Sequence, residues 1–230
     1  DDSAGGDTNG NGGATAPAAG DWTGIAVGGS GSIELEHGEI DYASTGVGGQ
    51  TLGSVVIKSS HFTSSIPAVA INAPSPTVQD NVAVNGPGPN TPCGGCVMAT
   101  FNVGSSSLDL GLLGGNTASG SGVGGLEVSG KVVTSTFPGG SLPLVIPSFS
   151  GGYGAQPGLD VPAGVTATFA AGTIVKGTGT WAPNSWNSGL TVEGTLRAVG
   201  TSASPVTFTS IKDDSAGGDT NGNGGATAPA

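Results

Sequence analysis

Charge is what this sequence has least of. Asp, Glu, Lys and Arg make up 9% of its 230 residues, against about a quarter in ordinary globular chains. Five residues are basic, Lys58, Lys131, Lys176, Arg197 and Lys212. They are scattered, whereas a nucleic-acid partner needs clustered cations to displace phosphate counterions. Nucleic acid is therefore excluded as a partner. No apolar run approaches the ~20 residues that span a bilayer, so no membrane insertion is expected from this segment. Aromatic residues are 5% of the chain, with a single Met. That poverty, with 46 Gly and 15 Pro, excludes a helical bundle, a coiled coil and a charge-rich α/β enzyme. It leaves an all-β chain of short strands and many turns.

The net charge is −11. Acidity, scarce Lys and abundant Gly, Ser and Thr point to an extracellular or cell-surface setting. The chain opens on Asp1 without a leader and reads as a piece of a longer or processed polypeptide. Cys93 and Cys96, the two cysteines, flank two glycines and read as a small disulfide closing a turn. A redox CxxC would open a helix, and a zinc site would need two more ligands nearby.

Self-comparison supplies the organising feature. Residues 1–18 read DDSAGGDTNGNGGATAPA, and residues 213–230 repeat them at all 18 positions. The chain reads as a single module of one 212-residue tandem period plus an 18-residue overlap. Its expected partners are adjacent copies of the same repeat, on the same chain or in a homopolymer.

Within the period, apolar and polar residues alternate over short stretches. In residues 190–199 Leu190, Val192, Leu196 and Ala198 share one face, with Glu193 and Arg197 on the other as an ion pair. Val165, Ala167 and Phe169 alternate likewise, as do Val206 and Phe208. Period-two alternation of β-branched residues between Gly and Pro is a strand signal. Strands this close, without helical crossovers, favour a stack of coils. At roughly 22 residues per coil that is about ten coils, a rod on the order of 50 Å long at about 4.8 Å per coil.

The stretches LDVPAGVTATFAAGTIVK (159–176), GLTVEGTLRAVGT (189–201) and PVTFTSIKDD (205–214) carry this pattern. So do GDWTGI (20–25), IELEHGEIDY (33–42), PTVQDN (76–81) and GNT (115–117). Together they resemble the right-handed parallel β-helix repeats of large bacterial cell-surface and adhesin-like proteins. The resemblance covers most of the period, more loosely from 86 to 107. It implies an all-β solenoid with little or no helix. Asn81 and Asn116 then stack in ladders at the turns.

The duplicated loop is the main candidate site. Asp219, Asn221 and Asn223 lead to Gly224 in a D-x-N-x-N-G pattern, with Asp213 and Asp214 nearby. Alternating oxygen ligands before a Gly suit a hard cation such as Ca²⁺ in a structural role. The first copy offers Asp1, Asp2, Asp7, Asn9 and Asn11. A second reading is a solvated loop whose Asx turns cap a strand. The flanking helices and the closing Glu of an EF-hand are missing.

Other groups read as structural. Glu34, Glu36, Glu39 and Asp41 surround His37 and could suggest paired-carboxylate chemistry, but alternation puts Glu34 and Glu36 on a solvated face. His61 lies among hydroxyls without a nucleophile elbow. Trp181 and Trp186 are candidates for stacking on sugar rings, while Trp22 is expected to pack on a neighbouring coil. The expected function is a non-enzymatic structural repeat module of an extracellular filament, stalk or giant surface protein, assembled by end-to-end stacking. The alternative is an adhesin or carbohydrate-binding module recognising surface glycans. A polysaccharide lyase or hydrolase fits less well, because a single Arg cannot line a cleft for acidic sugars.

Overall fold

The computed structural model describes residues 5–85, 99–120, 124–140, 142–147, 158–178, 189–223 and 225. Asp1, Asp2, Cys93, Cys96, Trp181 and Trp186 lie outside the described residues. In chain order the first strands are β1 (Ile25–Gly29), β2 (Ile33–Glu36), β3 (Glu39–Asp41), β4 (Val47–Thr51), β5 (Val55–Lys58) and β6 (His61–Thr63). Next come β7 (Val69–Asn72), β8 (Thr77–Gln79), β9 (Val82–Asn85), β10 (Phe101–Leu108), β11 (Thr117–Gly120), β12 (Leu126–Val132) and β13 (Ser135–Phe137). The last are β14 (Leu144–Ile146), β15 (Leu159–Val161), β16 (Thr166–Phe169), β17 (Ile174–Gly177), β18 (Leu190–Val192), β19 (Thr195–Ala198) and β20 (Thr207–Ser210). One 3-10 turn, Leu110–Leu113, is capped by the Asp109 carboxylate, which accepts from Gly111 N at 2.9 Å. The chain is thus nearly all β, as the sequence predicts.

Every strand pair is parallel. The largest sheet runs β1-β4-β7-β10-β12-β14-β17-β20, with β15 and β18 branching from β12. Three smaller sheets run β2-β5-β8, β3-β6-β9-β11 and β13-β16-β19. At the N-terminal end, successive partners are 22 residues apart, as where Gly38 N meets Ser60 Oγ and Ala43 N meets Ser65 Oγ.

In the largest sheet, identical parity places one apolar residue per strand in a continuous row. Ile25 faces Val47, then Val69, Phe101, Leu126, Leu144, Val175 and Phe208. From Val47 to Val175 the row is buried. Its two ends differ: Ile25 is half-buried and Phe208 is 48% exposed. Phe208 was expected to point inward. It does lie on the interior row and touches the Phe169 ring at 6.1 Å, but no strand covers it among the described residues. Shorter rows run beside this one, Leu35–Ile57–Val78 and Ile40–Phe62–Ala83. Close packing of such rows is the main stabilising term, since each buried Val, Leu or Phe contributes about 1.5–3 kcal/mol.

A polar ladder holds the corners between sheets. Gly38 N donates to Ser60 Oγ, Ser60 N to Asn81 Oδ1, and Asn81 N to Asn116 Oδ1. Asn81 Nδ2 also donates to Ile57 O and to Asn116 Oδ1, at 3.0 and 2.9 Å. Each side chain therefore satisfies a backbone N–H at the preceding corner, which would otherwise be buried without a partner. The residue before each ladder position turns sharply: His37, Ser59 and Asp80 have φ of 54, 48 and 56°.

One sequence expectation is corrected here. Residues 190–199 do not form one strand. β18 joins β15 in the largest sheet, and β19 joins β16 in another, with a corner at Glu193 and Gly194. A Cβ on Gly194 would stand 2.3 Å from Pro162 O and 2.4 Å from Val165 O, so this corner requires glycine. Glu193 sits in the corner and Arg197 on β19, so they do not share a strand face.

Candidate functional site

Alternation on β17 puts Val175 on the interior row and Lys176 on the opposite face. In register, Lys176 stands between Val145 and Thr209. A lysine on an outer sheet face ordinarily reaches water. Lys176 is instead fully buried, because the second copy of the repeated loop folds over it. Its ammonium donates to Asp213 O at 2.9 Å, Gly218 O at 2.8 Å and Thr220 Oγ1 at 2.8 Å. An ammonium has three protons to donate, and three oxygens of one loop receive them.

The loop is braced around this seat. Thr209 Oγ1 donates to Asp213 Oδ2 at 2.6 Å, while Ser215 donates to Asp213 Oδ1 from both N and Oγ. The Ser215 and Thr209 hydroxyls, with help from Lys176, hold the Asp213 carboxyl below its ordinary range. Asp219 Oδ1 accepts from Gly222 N and Asn223 N at 2.7 and 3.2 Å. Burial pulls the Lys176 pKa below the usual lysine value, and the charges of Asp214, Asp213 and Asp219 oppose that pull. Asp214 is partly buried, with Oδ1 unpartnered.

These contacts place the predicted loop residues Asp213, Asp214, Asp219, Asn221 and Asn223 in one loop, wrapped around a cation that belongs to the protein. Among the described residues no group of three or more His, Cys, Asp or Glu side chains is arranged to hold a metal ion. In the first copy, Asp7 accepts from Asn11 N at 3.0 Å and Gly12 N at 2.9 Å. The Gly12 amide is the largest influence lowering the Asp7 pKa. Asn9 and Asn11 form the Asx turns expected of such a loop, Asn11 N to Asn9 Oδ1 and Gly13 N to Asn11 Oδ1.

Sequence reasoning missed Lys176. Its partners are up to 44 residues away, and nothing local distinguishes it from a solvated lysine. Beside the loop a recess of about 210 Å³ is lined by Ala118, Ser119, Gly120, Leu142, Gly217 and Asp219, among others. Its lining carries one carboxylate, Asp219, and no aromatic ring.

The remaining candidates are dispersed. Glu34 and Glu36 project outward from β2, and Glu36 lies 3.9 Å from Lys58. His37 is a corner residue whose N–H donates to Lys58 O, and His61 opens β6. Trp22 packs on the next strand level, bridging Ala43 and donating from Nε1 to Asp41 O at 2.7 Å. No helix among the described residues is long and apolar enough to cross a membrane.

On the same outer row as Lys176, Glu127 lies beyond Val145. Asn102 Nδ2 donates to Glu127 Oε1 at 2.8 Å. Burial nevertheless dominates and pushes the Glu127 carboxyl up to about 7.

Compared with known protein families, curated proteins and solved structures, the chain matches none.

Proposed function

We propose that this chain is a non-enzymatic structural repeat module of an extracellular filament, stalk or giant surface protein. In this reading it winds as a right-handed parallel β-helix and extends by end-to-end stacking of copies. The observation that carries the reading is the apolar row from Ile25 to Phe208, buried along its middle and uncovered at both ends. Unpaired parallel edges and uncovered apolar residues invite another strand of the same kind. Val192 and Val199 widen the uncovered surface at the C-terminal end, and Trp22 does so at the N-terminal end.

The repeat supplies a matching edge. After the second copy of DDSAGGDTNGNGGATAPA, the periodic continuation is AGDWTGIAVGG, the segment that ends in β1. A further β1 placed beyond β20 would set Ile25 over Phe208 and continue the row in register.

The test compares this chain with a chain of two periods, by electron microscopy and sedimentation. A rod whose length doubles with the second period is expected. Two particles joined by a flexible link, with unchanged dimensions each, would refute the stacking.

A further inference from the structure

Residues 5–13 and 217–225 have one sequence, GGDTNGNGG, and fold alike in two different settings. Gly5, Gly6, Gly10 and Gly13 have φ of 83, 79, 69 and 80°. Their counterparts Gly217, Gly218, Gly222 and Gly225 have 71, 78, 68 and 80°. The hydrogen bonds match as well. Asn11 N to Asn9 Oδ1 and Asn223 N to Asn221 Oδ1 are both 3.2 Å. Gly13 N to Asn11 Oδ1 and Gly225 N to Asn223 Oδ1 are both 2.9 Å.

The conformation is therefore a local property of the sequence. What differs is what the two loops hold. In the second copy, Gly218 O and Thr220 Oγ1 hold the Lys176 ammonium, and Thr220 is fully buried. In the first copy, Gly6 and Thr8 are exposed.

We propose that residues 5–13 are a docking element for the Lys176 ammonium of a second copy of this chain, received by Gly6 O and Thr8 Oγ1. The proposal rests on the end-to-end reading above and names the contact that locks the joint. The occupant is a second copy because the same nine residues already seat that lysine within this molecule. A preformed loop binds without first having to be ordered.

In a pair of free chains, the second copy's own loop competes for its lysine. The contacts are the same on either side, so the intramolecular loop wins by effective concentration alone, about millimolar for a short tether. Weakening that loop by one hydrogen bond to a charged donor shifts the balance about ten- to a hundredfold. Exchange between copies then becomes measurable at roughly 10–100 µM chain, where the millimolar advantage is matched.

The test uses the full chain and sedimentation over a concentration series, with circular dichroism to confirm folding. Thr220→Val weakens the intramolecular seat and leaves Thr8 intact. Its self-association should begin at a concentration at least tenfold below that of the unaltered chain. Adding Thr8→Val should reverse this, and Lys176→Met should not show it. A Thr220→Val chain that associates no more readily than the unaltered one overturns the proposal. So does Lys176→Met association as strong as that of Thr220→Val. If Lys176→Met still stacks into rods, the end-to-end reading stands and only the lysine seat falls. If every variant stays a single particle, both fall.

A second measurement does not depend on the Thr220 variant folding. A fluorescent DDSAGGDTNGNGGATAPA peptide is titrated into the unaltered chain and into Lys176→Met, and its anisotropy is followed. At least tenfold weaker binding to Lys176→Met is expected, and equal binding refutes the seat.

Discussion

Lys176 Nζ lies 2.8 Å from Thr220 Oγ1 across 44 residues of chain, with neither residue exposed to solvent. The pair ties the repeated loop to the outer face of the sheet. Replacing Lys176 with Met keeps the apolar stem and removes all three donated bonds. The carbonyls of Asp213 and Gly218 then lose their ammonium donor. Hydrogen bonds to charged groups contribute about 1.5–3 kcal/mol each, with partial compensation on deletion. Lys176→Met should lower unfolding free energy by about 2–4 kcal/mol. Hydrogen exchange should rise first at residues 213–220, and an unchanged exchange profile there would contradict the seat.

Glu127 predicts a pH dependence. Its carboxyl in the folded chain is pushed up to about 7, from a model value of 4.5. A raised folded pKa means that the neutral acid is favoured by folding. The contribution is fully present below about pH 4.5 and is lost as pH rises through about 7. The ceiling is about 3 kcal/mol at 1.36 kcal/mol per pH unit. Glu127→Gln keeps an oxygen for the Asn102 amide and cannot ionise. Urea midpoints of the two chains should converge near pH 4.5 and separate by pH 8, with the Gln variant the more stable. Parallel curves across that window would refute the assignment.

Asn81→Asp probes the corner ladder. The new carboxylate can still accept from Ser60 N, but it cannot donate to Ile57 O or to Asn116 Oδ1. It also sets a buried charge against two oxygens. About 3 kcal/mol or more of destabilisation is expected at neutral pH. Thermal melts should show a smaller loss at low pH, where the added group is neutral.

Calcium offers a discriminating measurement on the repeated loop. Lys176 occupies the centre of residues 213–220, and both Asp213 and Asp219 already accept hydrogen bonds from the loop. An added dication would meet the ammonium's repulsion there. Melting midpoints with millimolar calcium and with chelator should coincide. A calcium-dependent rise abolished by Asp219→Asn would instead place an ion at this loop.

Much of the β architecture was legible because small apolar residues alternate without interruption. Val165, Ala167 and Phe169 do so, and the last two are fully buried. Asn81 and Asn116 were legible as a ladder because each follows a corner. Residues 190–199 misled for the same reason that made others clear. Alternation continues across the bend at Gly194, and the close approach of Pro162 O and Val165 O that forces the bend is not written locally. Lys176 was illegible because its burial depends on a loop that returns from far along the chain. The duplicated loop itself was obvious, but the ion it encloses was not.

Parallel pairing in fixed register also sets how such a chain yields to force. A terminal strand such as β20 is held to one neighbour, β17, by a handful of backbone bonds. Tension on it loads those bonds and no others, so the chain peels strand by strand instead of rupturing at once. At the N-terminal end each step releases 22 residues, about 75 Å of slack at roughly 3.4 Å per residue. The result is a fibre that lengthens in small increments, a shock absorber with its stroke written in the repeat.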